Sequence, residues 1–351
     1  MAGPLQGFPA PTDGPAPSVL VIGAGVIGAS IAYHAASRGL AVTLVDRESP
    51  GSGATRHSFG WIGRAANSGA PGKLQQLARN DFVRLQHEIP KISVNWCGAL
   101  MWGEHFGSGE DVALPNPSEL EPQLISAPDS VRFGTGDGSV EPVALAETLV
   151  EAAQEYGARV ILGEPAVALT RTDGVVVGAR TASQTLPATQ TVVAAGADSA
   201  QLCASIGVSL PVYSSPAVMV RLHAQPGLVR HIVANDSIEV RQLPDGTLLV
   251  PLDYEGQTTQ SELSSTAERA RHEILRTFHA PAGIDILSVA VGWRPMPVDD
   301  KPVIGPVPDA PGLYAAVVHP GVALAATVGR LVAEELATGS SADLQAAVLS
   351  G

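Results

Sequence analysis

Three glycines and one acidic residue have the spacing of a dinucleotide site. Gly23, Gly25 and Gly28 stand in G-x-G-x-x-G order directly after an apolar run, and Asp46 ends a second apolar run about 20 residues later. In this motif the first glycine makes a tight turn, the second lets the backbone approach a pyrophosphate, and the third lets a helix pack closely on a strand. The helix N-terminus favours the anion, and the Asp46 carboxylate can accept hydrogen bonds from a ribose. The pattern therefore predicts a βαβ unit that binds a dinucleotide.

The composition favours small-molecule chemistry over nucleic-acid or membrane binding. A chain of 351 residues is long for a single core, so we expect two closely connected domains. The formal charge of −13 argues against nucleic acid and anionic membrane surfaces as partners, because both need basic patches. The sequence contains no apolar run near the roughly 18 residues that a membrane span needs.

Residues 1–17 are rich in Pro, Gly and Ala, and we expect a flexible tail there rather than a signal peptide. Cys97 and Cys203 form no C-x-x-C pair, which indicates buried thiols in a cytoplasmic protein. Histidine spacing gives no support for a metal site.

Hydrophobic periodicity predicts an α/β chain with β-rich segments between its helices. A glycine-dense segment, residues 51–61, is expected to be a loop that lines the cofactor, and Pro244-Asp-Gly246 is expected to be a turn between two strands. The later helices are predicted at residues 72–88, 142–156, 261–279 and 323–337. The later strands are predicted at residues 159–162, 167–170, 175–180, 191–195, 218–222, 247–250, 288–293 and 313–318.

Four separated segments, residues 21–46, 157–167, 191–198 and 292–322, resemble the D-amino acid oxidase superfamily of FAD-dependent amine oxidoreductases, which includes glycine and sarcosine oxidases. The last segment, with Gly292-Trp-Arg-Pro-Met-Pro297 and His319-Pro-Gly321, is the most specific. The resemblance implies FAD rather than NAD, and an α/β fold in which a discontinuous Rossmann-type FAD-binding domain is joined to a second, β-rich α+β substrate domain. We assign residues 18–82, 139–212 and 293–345 to the first domain, and residues 83–138 and 213–292 to the second.

The resemblance also implies a reaction. An amine or amino acid, neutral at nitrogen, transfers hydride to flavin N5, the imine is hydrolysed, and oxygen reoxidises the flavin with release of peroxide. The helix that follows residues 319–323 would direct its N-terminus at the pyrimidine edge of the flavin, where negative charge develops. No lysine lies between Ser214 and Gly292, where sarcosine-oxidase-like members carry an oxygen-activating lysine.

Three alternatives remain. The first is a flavin dehydrogenase with a quinone or protein acceptor, and the second is a nicotinamide-dependent dehydrogenase, which residues 292–322 disfavour. The third is a nucleotide-binding subunit without turnover. The sequence leaves the substrate and the oligomeric state open, a homo-oligomer included.

The resemblance implies contacts to FAD from the glycine motif, the 53–58 loop, the strand at Val167 and the final helix. His57 lines up with a histidine that is bonded to the flavin in dimethylglycine and sarcosine dehydrogenases, although we expect a loop histidine that packs near the ring without a bond. The full set is Gly23, Gly25, Val26, Ile27, Gly28, Asp46, Arg47, Gly53, Ala54, Thr55, His57, Ser58, Val167, Ala195, Gly196, Arg294, Gly321, Val322, Ala323 and Leu324.

Four residues are candidates for contact with the substrate. Arg294 suits a substrate carboxylate, or else is tied to backbone carbonyls in a domain hinge, and Arg241 is a rival carboxylate clamp. His319 stands between a strand and the flavin-facing helix, as catalyst or structural residue. Tyr254 borders the pocket or the domain interface. The arginine that glycine-oxidase-like proteins carry in the final loop has no counterpart here.

Overall fold

A computed structural model describes residues 18–63, 70–104, 116–126 and 131–348. The predicted tail, residues 1–17, lies outside these ranges. The helices in the described ranges are α1 Val26–Ser37, α2 Ala70–Glu88, α3 Pro117–Leu120, α4 Pro142–Glu155, α5 Ser199–Ala204, α6 Gln260–Thr277, α7 Gly321–Thr338 and α8 Ala342–Val348. Within those ranges, none of these helices has the length and apolarity that crossing a membrane would require.

The strands of the same ranges form four sheets. They are β1 Ser18–Ile22, β2 Ala41–Asp46, β3 Trp61–Ile62, β4 Val94–Asn95, β5 Ala99–Met101, β6 Arg132–Gly134, β7 Gly138–Val140, β8 Arg159–Leu162, β9 Ala166–Thr172, β10 Val175–Thr181, β11 Thr185–Pro187, β12 Gln190–Val193, β13 Val212–His223, β14 Ile232–Ala234, β15 Glu239–Gln242, β16 Thr247–Asp253, β17 Asp285–Pro297, β18 Val303–Pro306 and β19 Leu313–Val317.

The first large sheet has six strands in the order β18-β19-β12-β1-β2-β8. All neighbours pair in parallel except β18 and β19. Strand β1 is apolar on both faces, because Val19 and Val21 pack in the cluster that contains α1, α4 and α7, whereas Leu20 and Ile22 pack in the cluster that contains β9 and β10. A parallel sheet buried on both faces is the expected form of a βαβ protein. The predicted Rossmann-type unit is confirmed.

The second large sheet has seven strands in the order β17-β13-β16-β15-β14-β5-β6. One face packs on α6, with Val218 and Val220 of β13 meeting Ala270 and Ile274 of α6 in a single apolar cluster. The opposite face turns toward the carboxyl ends of the first sheet and forms part of the cavity described below. Side chains that alternate along β13 therefore separate a structural face from a face that can contact ligands.

Most predicted elements are present, and the differences lie in their ends and in the short pieces. The turn between β15 and β16 is confirmed, because the Gly246 N–H donates to the Leu243 carbonyl at 3.0 Å. Strand β17 is longer than predicted and runs on both sides of residues 288–293. The segment 51–61 is not all loop, since Ala54–His57 forms a 3-10 helix and Trp61 begins β3. Of the two cysteines, Cys203 is buried and Cys97 only partly so.

Candidate cofactor and substrate site

A cavity of about 1120 Å³ lies where the carboxyl ends of the parallel strands face the second sheet. The chain passes from β1 to β2 on one side, while β12 pairs with the other side of β1, so the strand order reverses at β1. The crevice at such a reversal is the usual ligand site of an open α/β sheet. The predicted residues that line it are Gly23, Gly25, Val26, Ile27, Asp46, Arg47, Gly53, Ala54, Thr55, His57, Ser58, Val167, Ala195, Gly196, Arg294, His319, Gly321, Val322 and Ala323.

The three motif glycines have different reasons to lack a side chain. Gly23 has a φ of +108°, and a Cβ on it would collide with the Ala194 carbonyl. A Cβ on Gly28 would collide with the Gly23 carbonyl, so Gly28 is needed for the close approach of α1 to the loop. Gly25 is different, because its nearest neighbour would be Thr55 Oγ1 at 3.4 Å, an ordinary contact. The protein itself does not require glycine at Gly25, and the free space there faces the cavity.

The N-terminus of α1 is open toward the same space. Its N-cap, Gly25, makes no side-chain capping hydrogen bond, and the Val26 N–H donates to Thr55 Oγ1 at 3.1 Å. At the end of β2, Asp46 accepts from the Ala24 N–H at 2.6 Å and from the Glu48 N–H at 2.8 Å, one on each carboxylate oxygen. Since each oxygen has a second lone pair, the Asp46 carboxylate can still accept hydrogen bonds from a ligand.

A second helix directs its N-terminus at the cavity. Strand β19 leads through His319 to α7, whose N-cap, Pro320, makes no side-chain capping hydrogen bond. Gly321, Val322 and Ala323 of the first turn line the cavity, whereas Leu324 is fully buried behind them. The positive end of the α7 dipole therefore faces the cavity and favours negative charge there.

Arg294 lines the cavity, and its guanidinium makes no ion pair among the described residues. Its Nη2 donates to Ser215 Oγ at 3.1 Å and to the Pro216 carbonyl at 3.4 Å. Its Nε is buried and has no hydrogen-bond partner within the described residues. Burial, together with the Arg294 charge, lowers the pKa of His319, while Asp300 acts in the opposite direction. The imidazole beside Arg294 is therefore neutral at neutral pH.

The structure does not bring Arg241 or Tyr254 into the cavity lining. Arg241 is only 4% exposed, and its guanidinium donates to the Phe59 carbonyl at 2.5 Å, to the Val140 carbonyl at 3.1 Å and to Glu141 at 2.5 Å. A substrate carboxylate would have to displace these buried partners, so Arg241 is not placed to bind it as expected. Instead, its hydrogen bond to the Phe59 carbonyl connects β15 to the segment before β3. Tyr254 packs beside the apolar cluster of α6 instead.

His57 lies in the 3-10 helix at the cavity edge, against the second sheet. A Cβ on Gly292 of β17 would collide with the His57 Cβ, so the two backbones approach closely. The Arg221 Nη2 of β13 donates to the Arg56 carbonyl at 3.2 Å and ties this helix to the sheet. Burial, followed by the charges of Arg56 and Arg221, lowers the pKa of His57. The imidazole is therefore neutral at neutral pH, and the 3-10 helix that carries it is held against the second sheet.

Glu239 lines the cavity and was not predicted from the sequence. Burial raises the pKa of its carboxyl group to about 7. The alternation of side chains along β15 indicates which way Glu239 faces. Ile238 and Val240 are core residues of the α6 cluster, and Arg241 faces away from it. With a period of two, Glu239 must share the face of Arg241. Strand alternation around a candidate arginine could therefore have found it.

Comparison with known proteins gives one consistent result. Residues 18–335 match the family model for DAO, FAD-dependent oxidoreductases. The uncharacterized oxidoreductase YurR of Bacillus subtilis (strain 168) is 27% identical in an alignment that covers 85% of this chain and 88% of YurR. The glycine oxidase of Geobacillus kaustophilus (strain HTA426) is 27% identical in an alignment that covers 90% of this chain and 92% of that one.

A solved structure has the same fold. The L-proline dehydrogenase of P. horikoshii superimposes with a TM-score of 0.82 at 21% identity, covering 93% of this chain and 95% of that one.

Proposed function

The chain belongs to the DAO family of FAD-dependent oxidoreductases, and from this premise we propose that it oxidises the carbon–nitrogen bond of an amine or amino acid that carries a carboxylate. The observation that supports this substrate is the position of Arg294, which lines the cavity and makes no ion pair among the described residues, since its Nη2 donates only to Ser215 Oγ and the Pro216 carbonyl. A guanidinium without an ion pair attracts an anion, and a carboxylate matches its planar fork.

FAD is the cofactor, and the cavity has features that fit it. The N-termini of α1 and α7, whose N-cap residues make no side-chain capping hydrogen bond, lie at the same cavity, and each favours an anionic group. The free space at Gly25 allows a pyrophosphate to approach the backbone. Bound FAD supplies the acceptor for a hydride from the carbon next to nitrogen. The predicted residues of the cavity lining would hold FAD, with Gly28 and Leu324 supporting them from behind.

The residues of the chain orient the substrate and set its charge. Arg294 would hold the carboxylate and so fix the position of the carbon that is oxidised. His319 stays neutral beside Arg294, so it adds no charge that would repel a substrate ammonium, and it can accept a hydrogen bond.

The proposal also concerns the molecule that accepts electrons from the reduced flavin. We favour oxygen, with an imine product and release of peroxide, as the resemblance to glycine and sarcosine oxidases implies. A dehydrogenase is the second candidate, because no lysine lies between Ser214 and Gly292. Reoxidation of the substrate-reduced enzyme by air and by an artificial dye, measured side by side, separates the two. Rapid reoxidation by air with stoichiometric peroxide supports an oxidase, and reoxidation by the dye alone supports a dehydrogenase.

The substrate proposal is tested by bleaching of the flavin under nitrogen with a panel of amines and amino acids. We expect amino acids to bleach it and amines without a carboxylate to do so poorly. For the best substrate, Arg294→Lys should raise KM by about tenfold or more, since a loss of roughly 1.5 to 3 kcal/mol follows when a charged hydrogen bond is removed. The exposed Arg276 is the matched control, and Arg276→Lys should leave KM unchanged. An unaltered KM in the Arg294 variant contradicts the carboxylate assignment.

A further inference from the structure

Glu239 is a carboxylate that faces the cavity without an ion pair or hydrogen bond among the described residues. It begins β15, where Val240 packs into the core on the α6 side and Arg241 faces the other way. Because strand side chains alternate, Glu239 lies on the Arg241 face, and it is part of the cavity lining. The guanidinium of Arg241 is occupied by Phe59, Val140 and Glu141, so it does not neutralise Glu239.

The neighbours of Glu239 in the sheet are apolar. On one side, Ala234 of β14 pairs directly with it. On the other side, Arg241 pairs with Leu249, and continuing this register by two residues places Glu239 opposite Pro251. Pro251 in turn pairs with Met219 of β13. A carboxylate in such a row gains no hydrogen bond from its neighbours, and this desolvation is why its pKa rises to about 7.

Glu239 and Arg294 lie on the same face of the second sheet but far apart. Arg294 pairs with Ser215, which is four residues from Met219 along β13 and has the same parity. From β15 to β17 there are three strand steps of about 4.8 Å, and four residues along a strand add roughly 14 Å. The two Cα atoms are therefore roughly 20 Å apart. A simple α-amino acid, whose ammonium and carboxylate are attached to one carbon, cannot contact both side chains.

From this arrangement we propose that Glu239 binds a second basic group of the substrate, an ammonium or guanidinium at the far end of its side chain. This rests on the proposed function, in which Arg294 holds the carboxylate. The substrate is then a basic amino acid or an N-substituted derivative of one, with a side chain about as long as that of lysine. A cation would neutralise an otherwise unpaired, partly buried carboxylate, and the net charge of −13 favours the approach of a basic molecule.

Lysine and norleucine are suitable probes, because they share the amino-acid head group and differ at the end of the side chain. Each enantiomer is titrated into the holoenzyme under nitrogen, and binding is followed by the visible spectrum of the flavin. We expect lysine of one enantiomer to bind about tenfold or more tightly than the matching norleucine. In Glu239→Gln the preference for lysine over norleucine should disappear. Glu155→Gln, an exposed position of α4, is the control and should keep the preference.

The outcomes separate this inference from the function on which it rests. If lysine and norleucine bind equally to the wild-type enzyme and both weaken in Arg294→Gln, the role of Glu239 is overturned while the carboxylate site stands. The same holds if Glu239→Gln retains the preference for lysine. If neither probe binds, the inference about Glu239 is overturned, and the carboxylate site is still decided by the best substrate of the amino-acid panel. If both probes bind and Arg294→Gln weakens neither, the proposed carboxylate site is overturned, and the inference with it.

Discussion

Gly25→Ala should weaken FAD binding strongly while the protein remains folded. In the structure, a Cβ at Gly25 would meet only Thr55 Oγ1 at 3.4 Å. Its backbone angles, φ −63° and ψ 170°, are open to alanine. Alanine is a poorer N-cap than glycine, but it also reduces the entropy of the unfolded chain, so we expect a stability change within about 1 kcal/mol.

The expected loss of FAD binding is much larger. The methyl group would occupy the space next to the α1 N-terminus and would hold the pyrophosphate away from its N–H groups. Loss of two charge-assisted hydrogen bonds costs about 3 to 6 kcal/mol, which corresponds to a weakening of roughly a hundredfold or more. Gly28→Ala is the contrasting variant, because its Cβ collides with the Gly23 carbonyl. The new Cβ and the Gly23 carbonyl are both fixed to the backbone, so they cannot separate without a shift of the chain. We therefore expect this variant to lose about 1 to 3 kcal/mol of stability or more.

Two measurements check this reasoning. Thermal unfolding of the FAD-free proteins gives the stability change, and titration with FAD followed by flavin fluorescence gives the affinity. We expect Gly25→Ala to unfold near the wild-type temperature and to bind FAD weakly, and Gly28→Ala to unfold at a lower temperature. Wild-type affinity in Gly25→Ala would refute the placement of the pyrophosphate at this loop. A large loss of stability in Gly25→Ala would refute the conclusion that the folded protein has room for a Cβ at this position.

Three further predictions concern other parts of the cavity. Acid precipitation of the holoenzyme should leave a white pellet and free FAD, because we expect His57 to pack near the flavin without a bond; a yellow pellet that turns white in His57→Ala would show the bond. Gly292→Ala should destabilise the protein by about 1 to 3 kcal/mol in thermal unfolding, because its Cβ collides with the His57 Cβ. The pKa of Glu239 lies at about 7 against an ordinary 4.5, so the FAD-free protein should lose up to about 3 kcal/mol of stability as the pH rises through this window, and Glu239→Gln should remove that loss. If the stability of the wild type and of Glu239→Gln differs by the same amount at every pH, the raised pKa of Glu239 is contradicted.

The sequence by itself determined the dinucleotide-binding unit, the FAD cofactor and the family. The reason is that these depend on local patterns. Glycine spacing, an apolar strand and the acid at Asp46 lie within about 25 residues of one another, and the matches at residues 292–322 are similarly compact. The hairpin turn at Gly246 and the long helices are local in the same sense, because turn residues and helical periodicity need no distant partner. The ends of β17 and the two-residue strand β3 depend on pairing with distant segments, and they are among the elements that the sequence did not predict.

Only the tertiary structure decided which polar side chains face the cavity. Arg241 is a rival of Arg294 in the sequence, yet the Phe59 and Val140 carbonyls occupy the guanidinium of Arg241, whereas Arg294 lines the cavity and makes no ion pair among the described residues. The difference arises from the docking of the 51–61 segment on the second sheet, a contact between residues more than a hundred positions apart. Glu239 depends on the same assembly, because its face of β15 becomes a cavity wall only when the two sheets meet. Burial and unsatisfied hydrogen bonds are properties of that assembly, and local sequence patterns do not encode them.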